Sequence, residues 1–271
     1  MELEYNMRKL YFGILLIGLI VSSCTKDEQQ KITPIEKLAS VQLVFDNVVG
    51  SSDLVLDSQS YINDFEEEFT VKKFNYFISN IEFKKTDGTF QKIPQDSSYF
   101  LIKEIDDFSH IANINLLAEG TYTGIRFILG VDSLRSTMPK EMQSGVLDQG
   151  GYAADMYWVW NQGYIFLKLE AYEYQPKGGS SNVPYVYHIG GFGGYNTPTI
   201  NNIRTIQLDF PEVLQASSSQ KRKIKIKTDL LKVITGPNPI KFADNPTVML
   251  TPFSAKVADN YVNMFNITGI E

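Results

Sequence analysis

The chain has 271 residues, one cysteine, two histidines, a formal charge of −6 and a pI near 5.1. A lone cysteine excludes a disulfide framework, and two histidines exclude a histidine-rich zinc centre. Mild acidity argues against nucleic acid or an anionic membrane surface as partner, while the length suffices for one sizeable all-β domain.

Residues 1–23 read as a lipoprotein signal peptide. Arg8 and Lys9 are basic, Leu10 to Val21 is apolar, and Val21-Ser22-Ser23-Cys24 has the small-small-Cys ending of a lipobox. The apolar run is shorter than the ~20 residues a spanning helix needs, so it fits a removable signal. Met7 is the better start, because Glu2 and Glu4 precede it where positive charge is preferred. Cys24 is expected to be acylated and to become the new N-terminus. No later stretch is apolar enough to span, so lipid would be the sole attachment to the outer membrane. Thr25-Lys26-Asp27-Glu28 resembles the lysine-plus-acidic signal that sends some lipoproteins to the outer face of that membrane. The alternative placement faces the periplasm. Residues 24–36 read as a lipidated linker and 37–271 as the folded domain.

Aromatic residues make up 13% of the chain and cluster with Val, Ile and Thr, a mixture that suits pleated, half-buried surfaces. Val41-Gln42-Leu43-Val44-Phe45 alternates, and Leu54–Leu56 is a short strand candidate. Phe74 to Phe83 and Thr89 to Ile93 form a hairpin about Asp87-Gly88, a dipeptide that favours positive φ. Tyr99–Ile102 and Thr121–Leu129 follow, then a long loop from Asp132 to Asp155. Tyr164–Leu169 alternates again, and a second loop with Gly178-Gly179-Ser180-Ser181 runs from Gln175 to Pro184. Val183–Ile189, Thr205–Leu208 and Lys223–Lys227 complete the strands, the last with lysines that suit an edge. Ser254 is placed to cap a helix whose apolar face carries Val257, Tyr261, Met264 and Phe265. The prediction is an all-β fold: an antiparallel, Greek-key-like sandwich with a short C-terminal helix.

Enzyme signatures are missing. There is no phosphate loop, no Gly-x-Ser-x-Gly elbow, no His-Glu-x-x-His and no free thiol, so a non-enzymatic role is expected. Gly190-Gly191-Phe192-Gly193-Gly194 follows a strand without a helix after it, and reads as a flexible turn rather than a dinucleotide loop. His188, at the end of an apolar strand, is either an imidazole satisfied by backbone or a metal ligand. His110 is a loop residue and the weaker ligand candidate. Trp158 and Trp160, two apart, would share a face of a strand, either as core or as an exposed stacking platform for a sugar or another flat ligand. Asp132 and Glu170 stand near strand ends as acid, cation ligand or turn anchor.

Several segments in order resemble one family. They are Lys73 to Ile81, Gly130-Val131-Asp132-Ser133, Gly145-Val146-Leu147-Asp148, Asp155-Met156-Tyr157-Trp158-Val159-Trp160-Asn161-Gln162-Gly163-Tyr164, Tyr187-His188-Ile189-Gly190-Gly191 and Asn260-Tyr261-Val262-Asn263-Met264-Phe265. Together these are similar to the methanobactin-associated copper proteins, or MbnP-like domains. The resemblance implies a secreted or lipid-anchored β-sandwich that binds copper. It implies that a partner dihaem peroxidase-like enzyme oxidises a tryptophan to kynurenine, which holds the metal beside a histidine. His188 matches that histidine and either Trp158 or Trp160 the tryptophan, with Met156 and His110 as weaker auxiliaries. Phe265 to Glu271, where copper-binding relatives carry further histidines, has none here. The alternative is a metal-free surface module for a glycan, peptide or outer-membrane protein.

Overall fold

The computed structural model describes residues 37–160, 163–174 and 184–271. The signal segment 1–23, Cys24, the following export-signal residues and the loop at 175–183 lie outside the described residues. In chain order the strands are β1 (Leu38–Val49), β2 (Ser52–Asp53), β3 (Ser60–Ile62), β4 (Glu68–Lys85), β5 (Phe90–Lys92), β6 (Tyr99–Lys103), β7 (Ile111–Ala118), β8 (Gly120–Leu129), β9 (Tyr157–Trp158), β10 (Gly163–Glu173), β11 (Pro184–Gly190), β12 (Arg204–Ala216), β13 (Arg222–Asp229), β14 (Thr247–Val248) and β15 (Phe265–Ile270). Among the described residues three short α-helices join them: α1 (Ser133–Ser136), α2 (Lys232–Thr235) and α3 (Ser254–Tyr261).

Two sheets stack as an all-β sandwich, as expected. The smaller runs β15-β13-β1-β2, with β7 also on β1. The larger runs β12-β8-β4-β10-β11-β14, and β4 is its long axis. Asn75 pairs with both Lys168 and Lys103, and Ile78 with both Leu129 and Phe100. So β10 and then β8 follow one side of β4, while β6 follows the other. Most pairings are antiparallel, but β1 lies parallel to β13 and β11 parallel to β14. Parallel neighbours need long crossovers, which local alternation cannot reveal.

The Asp87-Gly88 hairpin forms as expected between β4 and β5, with Gly88 at φ +83° and Asp87 Oδ1 accepting from Thr89 N at 2.9 Å. Four local expectations change. β13 is flanked by β1 and β15, so its lysines are the solvent face of an inner strand rather than an edge. Only Ser52–Asp53 join the sheet, and Leu54–Leu56 turns away. Ser254 is the first residue of α3 and not its cap; its hydroxyl donates to Thr251 O at 2.6 Å and accepts from Asn202 at 2.8 Å. Val257 and Tyr261 are buried on α3, but Met264 and Phe265 lie past its end, where β15 begins.

Between the sheets sits an aromatic centre. Tyr76 meets Phe45 at 6.1 Å and Phe265 at 5.7 Å, and Phe127 meets Phe265 at 5.2 Å, all edge-on, the arrangement that aromatic quadrupoles favour. The other face of the large sheet is buried too at its centre, along β4 and β10. Residues 131–158 fold down over it through α1 and several single helical turns, so the expected long loop is a third layer. Tyr164 donates to Leu147 O in this layer at 2.7 Å and packs on Phe77 at 5.5 Å. Gly130, at φ +123°, leaves room for Phe166, whose ring would lie 2.8 Å from any Cβ there.

Candidate functional site

Register assembles a polar row at the border of that covering layer. Lys168 on β10 pairs with His188 on β11 and Asn75 on β4, and Glu170 pairs with Lys73. Asn75 pairs onward with Lys103 on β6. Four adjacent strands thereby bring Lys103, Lys73, Lys168, Glu170 and His188 together. Asp155, from the covering layer, closes the cluster. Its carboxylate lies 3.3 Å from Lys73 Nζ and 3.4 Å from Lys103 Nζ, and its carbonyl accepts from Lys168 Nζ at 2.5 Å. Glu170 Oε1 is 2.9 Å from His188 Nε2 and 3.7 Å from Lys168 Nζ.

Three ammonium groups face two carboxylates, and the pKa shifts follow from that. Burial, then the neighbouring Lys73, lowers Lys168. Burial, then Lys168, lowers His188, which outweighs the opposite pull of Glu170. Burial would raise both carboxyls, yet Lys103, Lys168 and Lys73 hold Asp155 low, while His188 and Lys168 hold Glu170 low. A neutral imidazole beside an ionised carboxylate donates through Nε2–H, so Nδ1 carries the lone pair.

The two tryptophans divide. Trp158 is buried at 5% exposure, and Trp160, just beyond β9, is 68% exposed. Their rings are 5.5 Å apart and tilted by 43°, so Trp158 backs Trp160. Trp158 lies over Gly190: a Cβ there would be 2.7 Å from the indole Cζ3. Gly190 is two residues from His188, hence on the same side of β11. Sequence spacing alone would have put both rings in one environment. β9 ends at Trp158, and the chain then leaves the sheet.

The described residues offer copper a single imidazole nitrogen: His188 donates Nε2–H to Glu170, which leaves Nδ1, and the neighbouring Lys168 and Lys73 repel a cation. Met156 is fully buried, and His110 sits 3.2 Å from Lys103 O and 3.6 Å from Glu104 Oε2. Among the described residues, no three His, Cys, Asp or Glu side chains are grouped to hold a metal ion. Asp132 is a turn anchor: it caps α1 through Arg135 N at 3.0 Å and accepts from Tyr99 OH at 2.5 Å. Glu170 is the partner of His188.

Two hollows flank the exposed aromatic ridge. One, about 440 Å³, is bordered by Met138, Gln143, Gln149, Tyr157, Val159 and Tyr195. The other, about 360 Å³, is bordered by Trp160, Phe192, Tyr195, Asn196, Thr197 and Thr199. Tyr195 is common to both and is fixed by donating from its hydroxyl to Thr137 O at 2.9 Å. The glycine-rich segment is an ordered hairpin rather than a flexible turn. Gly191, Gly193 and Gly194 have φ of +109°, +98° and +101°, Phe192 bridges Asn201, and Gly193 accepts from Thr199 N and donates to Ile200 O. Nothing in the sequence singles out Tyr195 and the threonines, because their role depends on this turn. Lys168 did leave a signal, as a lysine inside an otherwise apolar strand.

A mostly-β sandwich with one covered sheet face and an exposed Trp160 ridge is the class of protein that the fold defines. The MbnP family model matches residues 39–250, and the chain belongs to the MbnP family. A solved structure, MbnP from Methylosinus trichosporium, is similar at 14% identity over 73% of this chain and 78% of that one, with a TM-score of 0.44. No curated protein matches the chain.

Proposed function

We propose that this MbnP-family domain is a non-enzymatic binding module, lipid-anchored at Cys24 outside the cytoplasm, whose contact surface is the Trp160 ridge. The carrying observation is Trp160 itself, 68% exposed at the rim of the 360 Å³ hollow and backed by the buried Trp158. Trp160 is exposed together with Val159 and Tyr195, which border the two hollows, and a patch of large apolar side chains of this kind marks a surface that a partner covers. The anchor rests on the lipobox at residues 21–24 and the surface placement on residues 25–28.

Two experiments test this. Metabolic labelling with a palmitate analogue should mark the chain and not Cys24→Ala; equal labelling would remove the anchor. For binding, the chain from residue 25 onward retains the compact unit Glu36–Glu271. Screened against oligosaccharides and peptides, it should capture members of a class that Trp160→Ala does not. Identical profiles for the two proteins would end the ridge assignment.

Copper is the second reading, and one observation favours it: Trp158 lies over Gly190, two residues from His188. The dihaem partner stands or falls with it. The lysines beside His188 and the lack of a second grouped donor among the described residues count against it, so titration with copper should show no tight stoichiometric site. A site that is present in the parent and lost in His188→Ala would reverse the order of the two readings.

A further inference from the structure

We infer that the 360 Å³ hollow beside Trp160 is a binding site for a neutral sugar at the end or along the edge of a glycan. This rests on the binding-module reading above and names its ligand class. Every residue bordering the hollow is uncharged. An anionic ligand would find no ammonium or guanidinium there, and a cation no carboxylate. A purely apolar ligand would strand Asn196, Thr197 and Thr199, three exposed side chains whose amide and hydroxyl groups both donate and accept. Indole and phenol rings beside amide and hydroxyl groups match a ligand with an apolar C–H face and a rim of hydroxyls. A pyranose ring is such a ligand.

Rigidity supports the assignment. Trp160 rests on Trp158, and Tyr195 is tied to Thr137 O. The turn that carries Asn196 to Thr199 is closed by Thr199 N donating to Gly193 O at 2.9 Å and Gly193 N donating to Ile200 O at 3.1 Å. Below it, Asn202 N donates to Gly191 O at 2.8 Å, and the Asn202 side chain donates to Gly190 O at 2.7 Å. Gly194 cannot carry a side chain, because a Cβ would run into Thr197 O. Pre-ordered groups lose little entropy on binding, which weakly binding, hydrated ligands such as sugars require. The volume lies at the lower end of the range for ligand pockets, roughly 300–1,000 Å³, so one or two rings would be held and the rest of the glycan left in solvent.

The test is a glycan array followed by calorimetry on the chain from residue 25 onward. Neutral glycans should bind, and uronic-acid or sialic-acid versions of the same sugars should bind no tighter. Trp160→Ala should weaken binding at least tenfold with an unchanged melting temperature, and Thr197→Val with Asn196→Ala should weaken it severalfold. Gly194→Ala, which disturbs the turn without removing a contact group, should also lower affinity. Preference for charged glycans, or full affinity in Trp160→Ala, would overturn the sugar assignment. Peptides captured through Trp160 while no glycan binds would overturn it and leave the binding module standing. No Trp160-dependent ligand of either kind would remove both.

Discussion

The indole of Trp158 lies on Gly190 so closely that a Cβ there would be 2.7 Å from Cζ3, and closer still to the carbonyl of Tyr164. The residue at 190 therefore sets the height of the tryptophan above β11, and with it the position of Trp160. Gly190→Ala puts its methyl against a backbone oxygen that cannot swing aside, so β10 and β11 must part or the indole must lift. Overpacking of this kind costs about 1–3 kcal/mol. The expected result is a lower melting temperature together with a shift in tryptophan emission. An unchanged melt would show that β9 gives way freely.

Truncating each tryptophan should separate their roles. Trp158→Ala opens a cavity under the covering layer and should cost about 3–5 kcal/mol. Trp160→Ala removes a side chain already in water and should change stability by no more than about 0.5 kcal/mol. In the Trp158→Phe background, the remaining emission should be red-shifted and readily quenched by iodide. A strongly destabilised Trp160→Ala would mean that the exposed ring is structural.

How much of this was legible in the sequence depends on the range of the interactions. β4, β8, β10 and β11 announce themselves because alternation and the Asp87-Gly88 turn act within a few residues. The inner position of β13 was hidden, since its lysines look the same whether the neighbour is solvent or a distant β1. The Trp158–His188 segments were flagged by family likeness, and they do lie together. The salt network around Asp155 was not visible, because it joins four strands and the covering layer through register alone. The turn at 191–200 was misjudged because glycines at positive φ can mark order as well as freedom.

Glu104 gives the domain a distinctive pH response. It is buried beside Asn47, which donates to it at 2.8 Å, and His110 lies 3.6 Å away. Burial, helped by Asp53, Asp107 and Asp46, pushes its carboxyl from 4.5 to about 7. A raised folded-state pKa means that the folded chain holds this proton more tightly. The resulting stabilisation is complete below pH 4.5 and is lost as pH rises to about 7. The loss is on the order of 3 kcal/mol at most, or several degrees of melting temperature. Glu104→Gln keeps an acceptor for Asn47 and has no proton to lose. Melts of both proteins from pH 5 to 8 should therefore diverge, with the variant more stable at pH 8. Parallel curves would refute the shift.

Asp155 is the hub of the lysine row. Asp155→Asn removes the carboxylate facing Lys73 and Lys103 but leaves the carbonyl that holds Lys168. These pairs are partly buried, so the expected cost is about 1–2 kcal/mol, between the values for exposed and buried ion pairs. Half-molar salt should narrow the gap between parent and variant, because it screens the repulsion among the unpaired lysines. A gap that is insensitive to salt would assign the loss to packing.

His188 should titrate below the ordinary histidine value of 6.5, because burial and Lys168 oppose its charge more than Glu170 supports it. A depressed folded-state pKa means that the unfolded chain takes the proton first. The stabilisation is thus present above pH 6.5 and is lost as pH falls through the folded value. The environment can be dissected by removing one charge at a time. Glu170→Gln deletes the group that raises the pKa and should push it lower still, whereas Lys168→Met deletes a repelling charge and should bring it back up. Nitrogen chemical shifts of the imidazole read both the midpoint and the tautomer, with the proton expected on Nε2 facing Glu170. A midpoint above 6.5, or a rise in Glu170→Gln, would mean that the imidazole is held charged and that the lysines do not govern this end of the row.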